Sequence, residues 1–104
     1  MADPKREQLK VKNQKAVLAA VYEPGQFVGE DPLEDLQGLV ETAGVDVVGT
    51  LTQSRRTPNP ATLFGSGKVD ELKMLVESLG ADLVVIDNNL SPSQARTLEK
   101  ALDT

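Results

Sequence analysis

The chain has 104 residues, which suits one compact domain, and about two-fifths of them are apolar, enough for one modest core. It contains no cysteine and no histidine, which excludes a disulfide framework, a thiolate metal site, a cysteine nucleophile and an imidazole base. Its net charge of −5 makes it a poor generic nucleic-acid binder, so any contact with phosphate has to come from a confined basic patch.

Two such patches exist. Residues 1–15 carry Lys5, Arg6, Lys10, Lys12 and Lys15 against Asp3 and Glu7, and residues 1–14 read as a basic, flexible arm. Residues 53–68 carry Arg55, Arg56 and Lys68 with no acid at all. The rest of the chain is strongly acidic. No apolar run approaches the roughly 20 residues needed to span a bilayer, and no signal-peptide core is present, so the expected compartment is the cytoplasm and no membrane partner is expected.

Residues 15–22 (KAVLAAVY) form a continuous apolar run whose length fits a strand buried on both faces, although periodicity alone leaves a short helix open. Glu23, Pro24 and Gly25 break it. Asp31, Pro32 and Glu34 then mark a helix start, with Asp31 as cap, proline at the first helical position and Glu34 reaching back. Leu33, Leu36, Leu39, Val40 and Ala43 fall on one stripe, and Gly44 suits the C-terminal stop.

Residues 45–52 (VDVVGTLT) are rich in β-branched side chains and read as a second strand. A long loop covers residues 53–67, where Pro58 and Pro60 argue against further strand. A helix is expected from about Gly67, with Val69, Leu72, Leu75, Val76 and Leu79 inward and Gly80 closing it. Residues 82–87 (DLVVID) make a third strand. Ser91, Pro92 and Gln94 announce a third helix with a capping box, and Leu98 and Leu102 supply its apolar stripe.

This order predicts an α/β fold, a small parallel sheet built β-α-β-α-β-α with helices on its faces; strand order 2-1-3 is expected, though the sequence does not fix it. In such sheets ligands bind beyond the carboxyl ends of the strands. The loops at 23–30, 53–67 and 87–91 share that edge and bring Arg55, Arg56, Lys68, Asp87, Asn88 and Asn89 toward it.

The segment Gly65-Ser66-Gly67-Lys68 suggests a phosphate loop but lacks its essential parts. The position of the first glycine of that motif holds Thr62, and the Mg²⁺-binding hydroxyl after the lysine is replaced by Val69. Two readings stand: glycines that only let the chain turn into a helix, or an anion contact at the open helix N-terminus made by Gly65, Ser66, Gly67 and Lys68. Asp87 and Asn88 either form an Asx turn leading to Ser91 or, with Lys68, contribute to a nucleotide site. Phe27 and Phe64 either plug the end of the core or stack on bases. Arg55 and Arg56 either face RNA or pair with Glu23, Glu30 or Asp87.

From Leu33 to Leu102 the chain resembles the N-terminal domain of HflX-type ribosome-associated GTPases. PATLFGSGKVDEL at residues 60–72 and LSPSQ at residues 90–94 are the most specific parts of that resemblance. It implies a non-catalytic module at residues 15–104 that supports binding to the large ribosomal subunit and its rRNA; the charge pattern and the open helix start, not the resemblance, mark Arg55, Arg56, Gly65, Ser66, Gly67 and Lys68 as the RNA- or anion-binding residues. It also implies that GTP and Mg²⁺ belong to a GTPase domain outside this chain. The chain itself is expected to need no cofactor and no metal and to be no enzyme. The family continues into a fourth strand, a helical hairpin and the GTPase domain. Without that fourth strand, the free edge of residues 82–87 is expected to support self-association. The alternative reading is a small nucleotide-binding domain with its site at the strand carboxyl edge.

Overall fold

A computed structural model describes residues 14–27 and 29–104. The basic arm, residues 1–14, lies outside the described residues except for Gln14. Six elements follow in the expected alternation: β1 (Lys15–Tyr22), α1 (Glu34–Thr42), β2 (Asp46–Ser54), α2 (Ser66–Leu79), β3 (Leu83–Ile86) and α3 (Pro92–Leu102). They form an α/β domain around a parallel three-stranded sheet of order β2-β1-β3.

The centre of the sheet is the most apolar strand, and that choice organises everything else. Ala16 through Val21 are all buried because β1 has a strand on each side and helices on both faces. Side chains alternate across a strand, so Val17, Ala19 and Val21 face one way and Ala16, Leu18 and Ala20 the other. The first set packs with Val69, Leu72 and Val76 of α2 and with Leu98 and Leu102 of α3. The second packs with Leu33, Leu36 and Val40.

Right-handed crossovers explain this division. The chain steps from β1 to β2 through α1, then back across β1 to β3 through α2. Reversing the direction of travel while keeping the hand puts the two helices on opposite faces. One irregularity interrupts the ladder: Ala16 pairs with Val47 but Val17 pairs with Gly49, leaving Val48 as an extra residue in β2. Gly49 then sits beneath α2, where an added Cβ would lie 2.7 Å from Leu79 Cδ1.

The helices correct four expectations. Asp31 does not cap α1. Its Oδ1 accepts the Leu33 N–H at 2.9 Å, its carbonyl accepts the Glu34 N–H at 3.2 Å, and the helix begins only after that turn, with Leu33 as N-cap. The inner stripe is Leu33, Leu36 and Val40. Leu39 lies about 60° round the helix from Leu36, on the side away from Val40, and is 70% exposed. Ala43 is the exposed C-cap and does not belong to the stripe. Likewise Leu79, expected inside, is 37% exposed at the end of α2, with its Cδ1 lying against Gly49.

The helix ends follow expectation. Gly44 (φ +87°) and Gly80 (φ +64°) both sit in the left-handed region. In each, a six-to-one bond and a five-to-two bond close the helix: Val45 N–H to Val40 O with Gly44 N–H to Glu41 O, and Ala81 N–H to Val76 O with Gly80 N–H to Glu77 O. The capping box at Ser91 and Gln94 is complete in both directions. Among the described residues no helix is long and apolar enough to cross a membrane.

Candidate functional site

The three loops at the carboxyl edge are held by different devices. After β1, the chain folds into a turn in which the Glu23 N–H donates to Gln26 Oε1 and the Gln26 N–H to Glu23 O, both at 3.1 Å. This brings Phe27 back over the strand end, where it meets Tyr22 edge to face, ring centroids 5.7 Å apart. Phe27 is therefore half-buried at the edge of the molecule, while Phe64 is entirely inside the core. Of the two expected core plugs, only Phe64 is one.

After β2 the strand runs two residues further than expected, through Gln53 and Ser54, and the Arg55 N–H still reaches Tyr22 O at 2.9 Å. The prolines lie beyond that point, so they do not oppose it. The remaining loop is ordered by Asn59. Its backbone exchanges two hydrogen bonds with Leu63, at 2.8 and 2.9 Å, and its Oδ1 accepts the N–H groups of Ala61 and Thr62. Closing so tight a ring forces Leu63 to φ +70°, a region that non-glycine residues rarely occupy. Its side chain is buried beside Phe64, which anchors the loop to the core.

Arg55 and Gly65 are in direct contact across this loop. A Cβ on Gly65 would stand 2.6 Å from Arg55 Nη1, so the guanidinium rests against the bare backbone at the start of α2. Arg55 Nε donates to Thr57 O at 3.1 Å, and the Gly65 N–H donates to Gln53 Oε1 at 2.9 Å. Lys68 Nζ donates to Glu71 Oε2 at 2.8 Å, a solvent-exposed pair of the kind worth about 0–1 kcal/mol. After β3, the Asn88 side chain clamps Val21, accepting its N–H at 3.0 Å and donating to its carbonyl at 2.9 Å.

These elements border a cleft of about 570 Å³ at the carboxyl end of β1, with Tyr22, Phe27, Arg55, Pro58, Asp87 and Asn88 in its lining. The site residues expected from sequence are thus divided. Arg55, Asp87 and Asn88 come together in the cleft. Arg56 is exposed beside Glu23 and Pro24 in a separate depression. Gly65, Ser66, Gly67 and Lys68 form the first turn of α2 outside the cleft lining. Neither arginine reaches a carboxylate within ion-pair distance among the described residues. No group of carboxylates there is placed to hold a metal ion.

Sequence reasoning missed Tyr22, Gln53 and Asn59. Asn59 had a signal, an Asx-turn residue between two prolines. Gln53 had none, because its role depends on β2 ending beside the start of α2.

The fold and this edge define the chain as a small doubly wound α/β domain with its open site beyond the strand carboxyl ends. It belongs to the family described as GTP-binding GTPase N-terminal, whose model matches residues 30–104. The chain is 40% identical over 96 residues to the GTPase HflX of Caldanaerobacter subterraneus subsp. tengcongensis, covering 92% of this chain and 22% of that protein. It is 38% identical over 97 residues to GTPase HflX of Lacrimispora saccharolytica, covering 93% of this chain and 23% of that protein. With GTPase HflX of Escherichia coli the identity is 39% over 90 residues, covering 84% and 20% respectively. The chain therefore spans about a fifth of the length of these relatives.

Proposed function

We propose that this domain is a non-catalytic module through which a GTPase of the HflX type engages the large ribosomal subunit in the cytoplasm, with Arg55 and Arg56 meeting rRNA phosphate. The observation that carries the reading is the pair of arginines without carboxylate partners among the described residues, on the loop after β2 of an otherwise acidic chain. The Asn59 ring holds that loop in one shape before any partner arrives, which lowers the entropy lost on binding. The first turn of α2, with Ser66, Gly67 and the exchangeable Lys68, offers a second anion contact close by, in which the Gly65 N–H takes part only on release from Gln53. GTP and Mg²⁺ are ligands of the remainder of such a GTPase.

Co-sedimentation with large ribosomal subunits tests this. Replacing both arginines with alanine weakens binding and lowers the salt slope by roughly one per lost phosphate contact, with unchanged folding stability. Lost stability with unchanged ribosome affinity sinks the proposal.

The cleft supports a second reading, a nucleotide site at the same edge. Against it stand the Asn88 amide, already engaged on Val21, and Lys68, which lies outside the cleft lining. Two carboxylates, Glu23 and Asp87, also line the cleft beside the single Arg55, which disfavours a multiply charged phosphate chain. Calorimetric titration with ATP and GTP separates the two readings.

A further inference from the structure

The chain has only three aromatic residues, one tyrosine and two phenylalanines, and no tryptophan. Phe64 belongs to the core. The other two, Tyr22 and Phe27, stand together at the cleft, edge to face, in a position where neither completes the core. Aromatic rings on a basic-loop edge are stacking platforms for bases that have left a helix. The volume of about 570 Å³ falls within the range of small-ligand clefts, roughly 300–1,000 Å³.

The charges select the ligand further. Arg55 supplies one guanidinium, whose Nε is fixed by Thr57 O while the remaining N–H groups are uncommitted to any carboxylate. Asp87 supplies a carboxylate that makes no hydrogen bond or ion pair among the described residues. With Glu23 also in the lining, one cation beside two carboxylates suits a ligand with no more than a single negative charge and with hydrogen-bond donors to offer. A nucleoside triphosphate, with several negative charges, does not match it. One nucleotide within an RNA strand does: a single phosphodiester and a base edge carrying an amine.

From this we infer that the cleft receives one unstacked nucleotide of single-stranded RNA, its base against Phe27 and Tyr22, its exocyclic amine toward Asp87 and its phosphate toward Arg55. The inference rests on the RNA-contacting role proposed above and adds to it a specific pocket. It also sets a base preference: adenine, cytosine and guanine present an exocyclic amine to a carboxylate and uracil does not.

The test is titration of the 104-residue chain with hexamers of adenylate, cytidylate and uridylate, followed by amide and aromatic chemical shifts, with AMP and ATP as controls. The adenylate and cytidylate hexamers shift Tyr22, Phe27 and Asp87 and bind more tightly than uridylate and than ATP. Phe27→Leu keeps the apolar volume and weakens binding about tenfold, in line with stacking of about 1–3 kcal/mol per base. Asp87→Asn removes the preference over uridylate, and a thermal melt confirms that each variant is folded. If the hexamers shift Arg55 and Arg56 but leave Tyr22 and Phe27 in place, the pocket is refuted while the RNA-contacting role survives. If no hexamer binds at all, the pocket is refuted, and the RNA-contacting role is decided separately by co-sedimentation with large ribosomal subunits. If ATP binds as tightly as the hexamers, the site is one for free nucleotides and the inference is overturned.

Discussion

Asn88 extends the sheet with its side chain: Oδ1 accepts the Val21 N–H at 3.0 Å and Nδ2 donates to the Val21 carbonyl at 2.9 Å. β3 ends at Ile86, so β1 would otherwise leave both groups of Val21 unpaired in a part-buried position. The amide takes the place of the next strand residue and fixes the floor of the cleft.

Asn88→Ala is therefore expected to destabilise the fold by about 2 kcal/mol, since it removes two hydrogen bonds and leaves two backbone groups unsatisfied. Asn88→Asp retains the acceptor but sets a second oxygen against the Val21 carbonyl, and it is expected to fall close to the alanine variant. Urea denaturation with a constant slope measures both.

Gly65→Ala separates stability from binding. The backbone at Gly65 (φ −64°, ψ 155°) accepts any residue, so no conformational strain arises. The new Cβ collides with Arg55 Nη1, the mobile end of a long side chain, which can move away. The expected stability change is within about 1 kcal/mol, while affinity for large ribosomal subunits falls as it does in Arg55→Ala. Unchanged affinity would mean that the position of this guanidinium does not matter.

Leu63 combines burial with backbone strain. Leu63→Ala is expected to cost about 2–4 kcal/mol from lost packing. Leu63→Gly removes one further methyl group yet is expected to cost no more than alanine, because at φ +70° glycine escapes a penalty of roughly 1–2 kcal/mol. A glycine variant clearly less stable than the alanine variant would show that the ring at Asn59 does not hold Leu63 in this conformation.

The free edge of β3 predicts self-association. Among the described residues Leu83–Ile86 pair with β1 on one side only, and all four are incompletely buried. Asp82 and Asp87 flank the strand and limit the effect by charge repulsion. Sedimentation velocity should show mass rising with concentration, together with slower amide exchange at residues 83–86. A monomer at millimolar concentration, with exchange unaltered, rules this out.

The start of α2 should not behave as a nucleotide-binding phosphate loop. The Gly65 N–H is engaged by Gln53, and Lys68 lies on Glu71, one turn into the helix. Titration with GTP and Mg²⁺ should leave the amide resonances of Gly65, Ser66 and Gly67 in place. Mg²⁺-dependent binding in the micromolar range would overturn the reading of Thr62 and Val69.

Much of the fold could be read from local chemistry. The alternation of strands and helices set the class, and KAVLAAVY, seven apolar residues after Lys15, pointed to a strand covered on both faces, whereas the order β2-β1-β3 was fixed only by the tertiary structure. Gly44, Gly80 and Ser91 marked helix ends because their roles depend on near neighbours in sequence. Tertiary structure decided what depended on distant partners. β2 continued through Gln53 and Ser54 because β1 offered Tyr22 O to pair with, which no local pattern shows. Leu39 stayed outside because a nine-residue helix meets a three-stranded sheet along a narrow stripe. The candidate site shows the same division. Arg55, Arg56 and Lys68 were visible as charge, but the fold turned them to three different places. Packing around Gly65, Asn59 and Asn88 determined that Arg55 alone shares a cleft with Tyr22, Phe27 and Asp87.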